Sequence, residues 1–434
     1  MRIAIIGAGI AGVTSAFECA NDGHQVTVFE RRSSVAAEGS FANTGFAAPA
    51  LALPWAAARF PRPGAGALSW QWRRWRAERS KDHAARQALL LQLASYSHGR
   101  LQELRKRLQL DYERTEGQLL LLRHERELRA IQAQLDLMQS LGLPHQFLSP
   151  EQCLALEPGL NPETPLHGGI QLSQAEVGNC RQFSHLMRIE AQRLGVQFRF
   201  HTTVRSITPG QPASLIHEHT IPPEGLGAAT RGPDKQDAGD TQPAPLGPVQ
   251  ESFDAVLICA GAGALALLQP LGLKPALSTV HGYSITAPLR QLEAHPDLGP
   301  RAGLLDLRHQ VSISRIGQRV RIAGGIETGT SATHFKPATL ALLHQVLHDW
   351  FPGAMQVGQE QRWKGSQALL PDGLPLLGAS GLAGVWLNLA QGSANSLDWP
   401  LACGAARVLA DQICKRKTDV DAPDTTGLDI ARLA

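Results

Sequence analysis

Apolar residues fill positions 3–6 without a break, which predicts a strand buried on both faces over residues 2–6. Helical spacing of apolar and small residues follows over 10–21, then strand spacing over 25–30. Downstream the pattern predicts helices over 84–110, 125–141 and 183–194. Strand patterns fall at 117–122, 196–207, 255–259, 280–286, 313–325 and 385–389, and a last helix begins near Pro400. Residues 209–249 break the pattern, being dense in Pro, Gly, Asp and Thr and poor in large apolar residues. They are expected to form a flexible surface insertion with no packed core and no chemistry. Strands alternating with long helices indicate an α/β chain.

The turn between the first strand and helix holds Gly7, Gly9 and Gly12 in G-x-G-x-x-G spacing, with Ala8, Ile10 and Ala11 between them. The first glycine permits a tight turn, the second lets a pyrophosphate approach the backbone, and the third lets helix pack on strand. The helix N-terminus offers free N–H groups and positive dipole to phosphates. Glu30 ends the second strand, where a carboxylate accepts ribose hydroxyls; such an acid repels a 2′-phosphate, so Arg31 and Arg32 are read as solvated or touching the adenosine half. Gly261 and Gly263 end a later strand but lack the rest of a second fingerprint, which leaves a neighbouring NAD(P)H site unsupported.

Composition narrows the classes. The chain has 434 residues, 43% of them hydrophobic, and a net charge of +3. That near balance argues against a dedicated nucleic-acid binder. Six scattered cysteines without a C-x-x-C pair read as reduced thiols of a cytoplasmic protein, not a disulfide frame or a zinc site; no metal is expected. The N-terminal apolar run is too short and glycine-broken for a signal peptide, and no apolar run reaches about 18 residues, so no span is expected. Trp70, Trp72 and Trp75 stand among Arg73, Arg74, Arg76 and Arg79. That mixture suits a solvated helix face with packing tryptophans first, and an interfacial membrane segment second.

The stretches "IAIIGAGIAGVTSAF", "SFANTG" with "PALALPWAA", "GGIQLSQAEVGNCRQF", "HGYSIT", "RVRIAGG", "PDGLPLLG" and "VWLN" resemble a known family. The chain resembles the bacterial FAD-dependent D-amino-acid dehydrogenases (small-subunit type), within the D-amino-acid oxidase and glycine oxidase group. The resemblance implies a Rossmann-like FAD-binding domain of the glutathione-reductase type with an inserted mixed α+β substrate domain. It divides the chain into FAD-binding parts at 1–85, 196–270 and 361–434, and substrate parts at 86–195 and 271–360. It implies oxidation of a C–N bond in an amino acid or amine. Hydride goes to flavin N5, and electrons pass on to a quinone or another acceptor. It also implies a cytoplasmic protein, peripheral on the inner membrane in several members.

Carried over residue by residue, the resemblance implies FAD contacts from Gly7, Gly9, Gly12 and Glu30. Ser40, Asn43 and Gly45 match a loop that passes the flavin, and Val204 a strand that meets adenine. Ala260, Gly261, Gly325, Asp372, Gly378, Gly392, Ser393 and Asn395 match further sites of approach to the cofactor. Tyr283 matches a tyrosine near the substrate. Three features depart from the family, one being a longer final loop with Asn395 and Asp398 ahead of Pro400. Gly365-Ser366-Gln367-Ala368 stands where the family has G-L-R-P, and Ala390-Gln391-Gly392 where it has G-H-G. A neutral amide does not replace a bidentate guanidinium at a carboxylate, which makes Gln367 and Gln391, with Tyr283, the candidate catalytic positions. Arg301, Arg308, Arg315, Arg362 and Lys364 are alternative cations. Other substrate classes (secondary amine, hydroxy acid, tRNA-linked amine) and a flavin binder with little turnover remain open.

Overall fold

The computed structural model describes residues 1–55, 68–220, 247–290, 298–328, 333–392, 399–416, 419 and 421–433. In chain order the strands are β1 (Arg2–Ile6), β2 (Gln25–Phe29), β3 (Thr115–Leu122), β4 (Gln146–Leu148), β5 (Gly168–Val177) and β6 (Gln197–Arg199). They continue with β7 (Thr202–Thr208), β8 (Ala213–His219), β9 (Val249–Phe253), β10 (Ala255–Ile258), β11 (Ser278–Pro288) and β12 (Gly303–Asp306). The last are β13 (Val311–Ile316), β14 (Arg319–Thr328), β15 (Gln361–Leu369), β16 (Leu376–Ala379) and β17 (Val385–Leu389). The helices begin with α1 (Ile10–Asn21), α2 (Leu68–Ala77), α3 (His83–Leu108), α4 (Glu125–Ala130) and α5 (Gln132–Ser140). They end with α6 (Pro150–Leu156), α7 (Cys180–Arg193), α8 (Ala264–Leu268), α9 (Pro337–Trp350) and α10 (Ala402–Ile413).

A six-stranded sheet runs in the order β16-β17-β10-β1-β2-β6. Its centre is parallel: β1 pairs with β10 and β2, and β10 pairs with β17. Ile3, Ile5, Val26, Val28 and Leu257 face a core shared with α1, α3, α7 and α10. Ala4, Ile6, Val256 and Ile258 face a second core with α8 and β8. Burial on both faces is why these strands read as continuous apolar runs. Glu18 of α1 is fully buried and bound by Arg100 of α3 and Arg407 of α10, which also takes Asp22 and Asp411. Removing one partner from such a buried network costs about 3–5 kcal/mol.

An eight-stranded mixed sheet, β15-β11-β14-β13-β12-β3-β5-β4, lies beyond it. Leu119, Leu121, Ile285, Ile313 and Ile322 face α9, and Leu120, Leu122, Ile170 and Ile316 pack with Phe46, Leu51 and Trp55 on another side. This α/β fold, with its Rossmann-like sheet and mixed second sheet, is the one expected. A three-stranded sheet, β7-β8-β9, completes the described strands.

Several local expectations need correction. The helix over 125–141 is two helices, α4 and α5, separated at Ile131, whose backbone is not helical (φ −106°, ψ 5°). The strand over 196–207 is β6 and β7, in different sheets, with His201 at φ +52° between them. Residues 209–249 are not all coreless: β8 buries Ala213 and Leu215 against β10 and α8 residues. The rest of that stretch, 221–246, lies outside the described residues. The last helix starts at Ala402. β15 belongs to the eight-stranded sheet although residues 361–434 were assigned to the nucleotide part, and α3 packs in the core beneath α1 and α10. No described helix is long and apolar enough to cross a membrane. All six cysteines are unpaired.

Candidate active site

A cavity of about 380 Å³ runs from the β1–α1 turn to the end of β17. At the turn, the glycines are required by contact. A Cβ on Gly7 (φ +102°) would meet the Cys259 carbonyl oxygen at 2.6 Å, and one on Gly12 would meet the Gly7 carbonyl oxygen at 1.9 Å. Gly9 has only Ser40 Oγ nearby, at 3.5 Å, so its other side opens on the cavity. Ile10 N–H, at the start of α1, donates to Ser40 Oγ (3.1 Å).

Glu30 lines the same end and accepts N–H bonds from Ala8 (2.7 Å) and Arg32 (2.8 Å). Burial raises its carboxyl above the usual range against those two bonds. Glu38 also lines the cavity; burial works against its charge, but the Arg31 and Arg32 guanidiniums, each 2.7 Å away, hold its carboxyl low. Val204, with Thr202, Thr203 and Arg205 around it, forms the wall nearby, and Ala260 and Gly261 the wall opposite β15.

The far end is built from distant segments: Asn43, then Ser366, Gln367 and Ala368, then Asn388 to Gln391. Asn43 is held from the eight-stranded sheet. Arg321, fully enclosed, donates through Nη1 to the Asn43 carbonyl oxygen (3.0 Å) and through Nε to Thr286 Oγ1 (2.9 Å), while Ser314 Oγ donates to the Thr44 carbonyl oxygen (2.6 Å). Burial pushes the Arg321 guanidinium down to about 10. Asn388 bridges Ser15 Oγ (3.1 Å) and the Gln391 amide, so α1 and the end of β17 are tied together. Gln367 Oε1 is buried without a hydrogen-bond partner among the described residues, and its amide lies so close to Gly392 that a Cβ there would meet it at 2.0 Å. Ser366 Oγ lies 2.8 Å from His281 Nδ1. Arg31 and Arg205 are the cations on the described wall, both at the Glu30 end; Arg301, Arg308, Arg315, Arg362 and Lys364 do not line it.

The structure thus brings Gly7, Gly9, Ile10, Ala11, Glu30, Arg31, Ser40, Asn43, Val204, Ala260, Gly261, Gln367 and Gln391 to one cavity. Other expected residues sit elsewhere. Tyr283 packs in the core under α9, its hydroxyl donating to Glu327 Oε1 (2.7 Å); it lines a second, much smaller cavity together with Asn43. Gly325 lies beside it, and its Cβ would meet Thr339. Asp372 caps its own turn at Leu374 N–H (3.1 Å) and pairs with Arg432 (3.1 Å). Gly378 (φ +126°) faces Asp429, and Gly45 (φ +88°) faces the Gly178 carbonyl. Arg32 pairs with Glu38, and Ala8 and Gly12 stand behind the turn rather than on its wall. Ser393 and Asn395 lie outside the described residues. Sequence reasoning missed His281, Arg321 and Asn388 because an isolated polar residue in a strand carries no spacing signal.

A family model described as FAD dependent oxidoreductase matches residues 2–412. The chain belongs to the FAD-dependent oxidoreductase family. Within it, this member is 32% identical over 447 residues to a D-amino acid dehydrogenase of Rhizorhabdus wittichii, spanning 98% of this chain and 99% of the relative. It is 31% identical over 442 residues to one of Bradyrhizobium diazoefficiens, spanning 97% of each. Among solved structures, glycine oxidase from Geobacillus kaustophilus superposes with a TM-score of 0.71 at 19% identity, over 99% of each chain. L-proline dehydrogenase from P. horikoshii also gives 0.71, at 14% identity, over 99% of this chain and 97% of that one. These likenesses establish the shared fold.

Proposed function

We propose that this chain binds FAD along the cavity and oxidises the C–N bond of an amino acid, a D-amino acid first among the candidates. The observation that carries the reading is the cavity itself: a nucleotide turn with a buried carboxylate at one end, and a wall of amides and a serine at the other. The full-length relatives named D-amino acid dehydrogenase support the substrate class. The residues fit the cofactor. Gly7 and Gly12 have no room for a Cβ and so keep the turn tight, Gly9 and Ile10 form the wall where the helix dipole favours a pyrophosphate, and Glu30 stands where a ribose is held. When bound, FAD supplies a two-electron acceptor for the hydride leaving the donor carbon. Asn43, Gln367, Asn388 and Gln391 then orient the donor and the ring through neutral hydrogen bonds. Electrons leave to a quinone or another acceptor.

Purified protein is expected to be yellow. Under anaerobic conditions a D-amino acid should bleach the flavin band while its L-enantiomer does not. A colourless protein indifferent to added FAD overturns the cofactor reading. A yellow protein that no amino acid or amine reduces overturns the substrate reading and favours a binder with little turnover. An amine without a free carboxylate is the second candidate, because no described cation stands at the Gln367 end of the wall.

A cytoplasmic location, with peripheral contact through α2, belongs to the same reading. Trp72 is 45% exposed beside Arg76, whereas Trp70 is buried against Val280 and Leu369. Sedimentation with anionic liposomes at low salt tests it, and Trp72→Ala should weaken binding. Protein that stays wholly in the supernatant overturns the contact.

A further inference from the structure

Ser366 of β15 and His281 of β11 stand opposite each other in register. Ser366 lines the cavity, and His281 is buried behind it at 6% exposure. On its other side, His281 pairs in register with Glu327 of β14. The Glu327 carboxylate binds Lys364 Nζ (2.5 Å) and the Tyr283 hydroxyl (2.7 Å), and pairs with Lys336. The Lys336 side chain is 48% exposed. Strand register therefore sets His281 between Ser366 at the cavity wall and Glu327, whose partner Lys336 reaches the surface, and Ser366 is the hydroxyl at the inner end.

We propose that Ser366 and His281 take the proton that an ammonium donor loses before its C–N bond is oxidised. This rests on the amine-oxidation reading above. An ammonium nitrogen has no lone pair with which to expel a hydride, so one N–H bond breaks first. Its proton goes to Ser366 Oγ as the Ser366 hydroxyl proton goes to His281 Nδ1, and the electron pair stays on nitrogen. That pair forms the C=N bond while the α-hydrogen leaves with two electrons for the cofactor. The donor departs as an iminium ion, and the proton on His281 leaves past the Glu327, Lys364 and Lys336 group. Ser366 is the catalytic residue of the pair. His281 acts through it and is a positioning and proton-holding residue.

The test is anaerobic stopped-flow reduction of the full chain loaded with FAD, using D-alanine and D-proline from about pH 6 to pH 10. His281→Gln and Ser366→Ala should slow flavin bleaching by about a hundredfold near pH 7. Near pH 10, where free amine is plentiful, the deficit should shrink to about threefold. Ser366→Thr keeps the hydroxyl and should restore the shape of the pH profile that Ser366→Ala loses, whatever its overall rate. FAD affinity, read by titration of the visible band, should stay within about threefold throughout. Variants that follow the wild-type pH profile, or lose rate equally at every pH, overturn the relay. If His281→Gln does not hold FAD, Ser366→Ala against Ser366→Thr decides the matter. A wild type that no amine bleaches at any pH defeats the amine-oxidation reading and the relay with it. A bleached wild type with unshifted variants defeats the relay alone.

Discussion

The two large sheets contribute to one cavity by opposite means. The six-stranded sheet offers mainly backbone: a turn where Gly7 and Gly12 leave no room for a Cβ, and a helix start, with the Glu30 carboxylate and the Asn388 amide as its side chains. The eight-stranded sheet offers side chains, with Ser366 and Gln367 arriving on β15 and the Arg321 that holds Asn43 on β14. Backbone sites tolerate one residue type, so substitutions there should act as all-or-none. Side-chain sites are adjustable, so substitutions there should be graded.

The largest expected effect tests the first half of that contrast. Gly12→Val puts atoms inside the Gly7 carbonyl, and purified protein should retain no FAD by visible absorbance. Retention of stoichiometric flavin would break the contrast outright. In the eight-stranded sheet, Asp306 is fully buried and bound by Arg123, the Trp350 indole N–H (2.8 Å) and the His309 N–H (3.0 Å). Asp306→Asn should cost about 3–5 kcal/mol in urea unfolding, since it leaves Arg123 short of a buried partner.

The same residue sets a pH dependence. Burial pushes the Asp306 carboxyl up, but Arg123, Trp350 and His309 outweigh it and hold it below the ordinary aspartate range. Its stabilisation is present above the unfolded value of about 3.9 and is lost as pH falls through the lower folded value. Acid unfolding of Asp306→Asn should lack that component.

Glu30→Gln comes next. Losing a charged acceptor should weaken FAD by about ten- to a hundredfold in a fluorescence titration, or about 1.5–3 kcal/mol. Tyr283→Phe sharpens the other side of the contrast. Its hydroxyl serves Glu327, so it should cost about 1 kcal/mol of stability and leave the anaerobic reduction rate within about threefold. A hundredfold loss of rate would return Tyr283 to the site. The smallest effect belongs to Asp372→Asn, which breaks a partly exposed pair with Arg432 and should cost about 1 kcal/mol or less without altering FAD affinity.

The same contrast explains what could be read in the chain. The nucleotide half was legible residue by residue, because geometry demands glycine at fixed spacing and burial on both faces gives unbroken apolar runs. Val385–Leu389 and Ile10–Asn21 appear in the structure at the bounds expected. The far end was legible only where a motif named it, as with Gln367 and Gln391. Arg321 and His281 are single polar residues inside strands, and only register sets them behind the lining residues Asn43 and Ser366. Tyr283 misled because strand spacing does not say which face meets a neighbour; a register shift between His281 and Tyr283 adds to the ambiguity. Asp372 misled because a turn carboxylate that bonds its own backbone looks the same on paper as one that bonds a ligand.

The strand order carries a consequence for biosynthesis. β1 pairs with β2, its near neighbour in the chain, on one edge, and on the other with β10, which begins at Ala255. β17 and α10, which close the cavity and grip Glu18, come later still. A nascent chain therefore carries its nucleotide turn for hundreds of residues before the wall opposite exists. One hydrogen-bonding edge of β1 stays open during that interval, a waiting strand that a ribosome-associated chaperone has reason to cover.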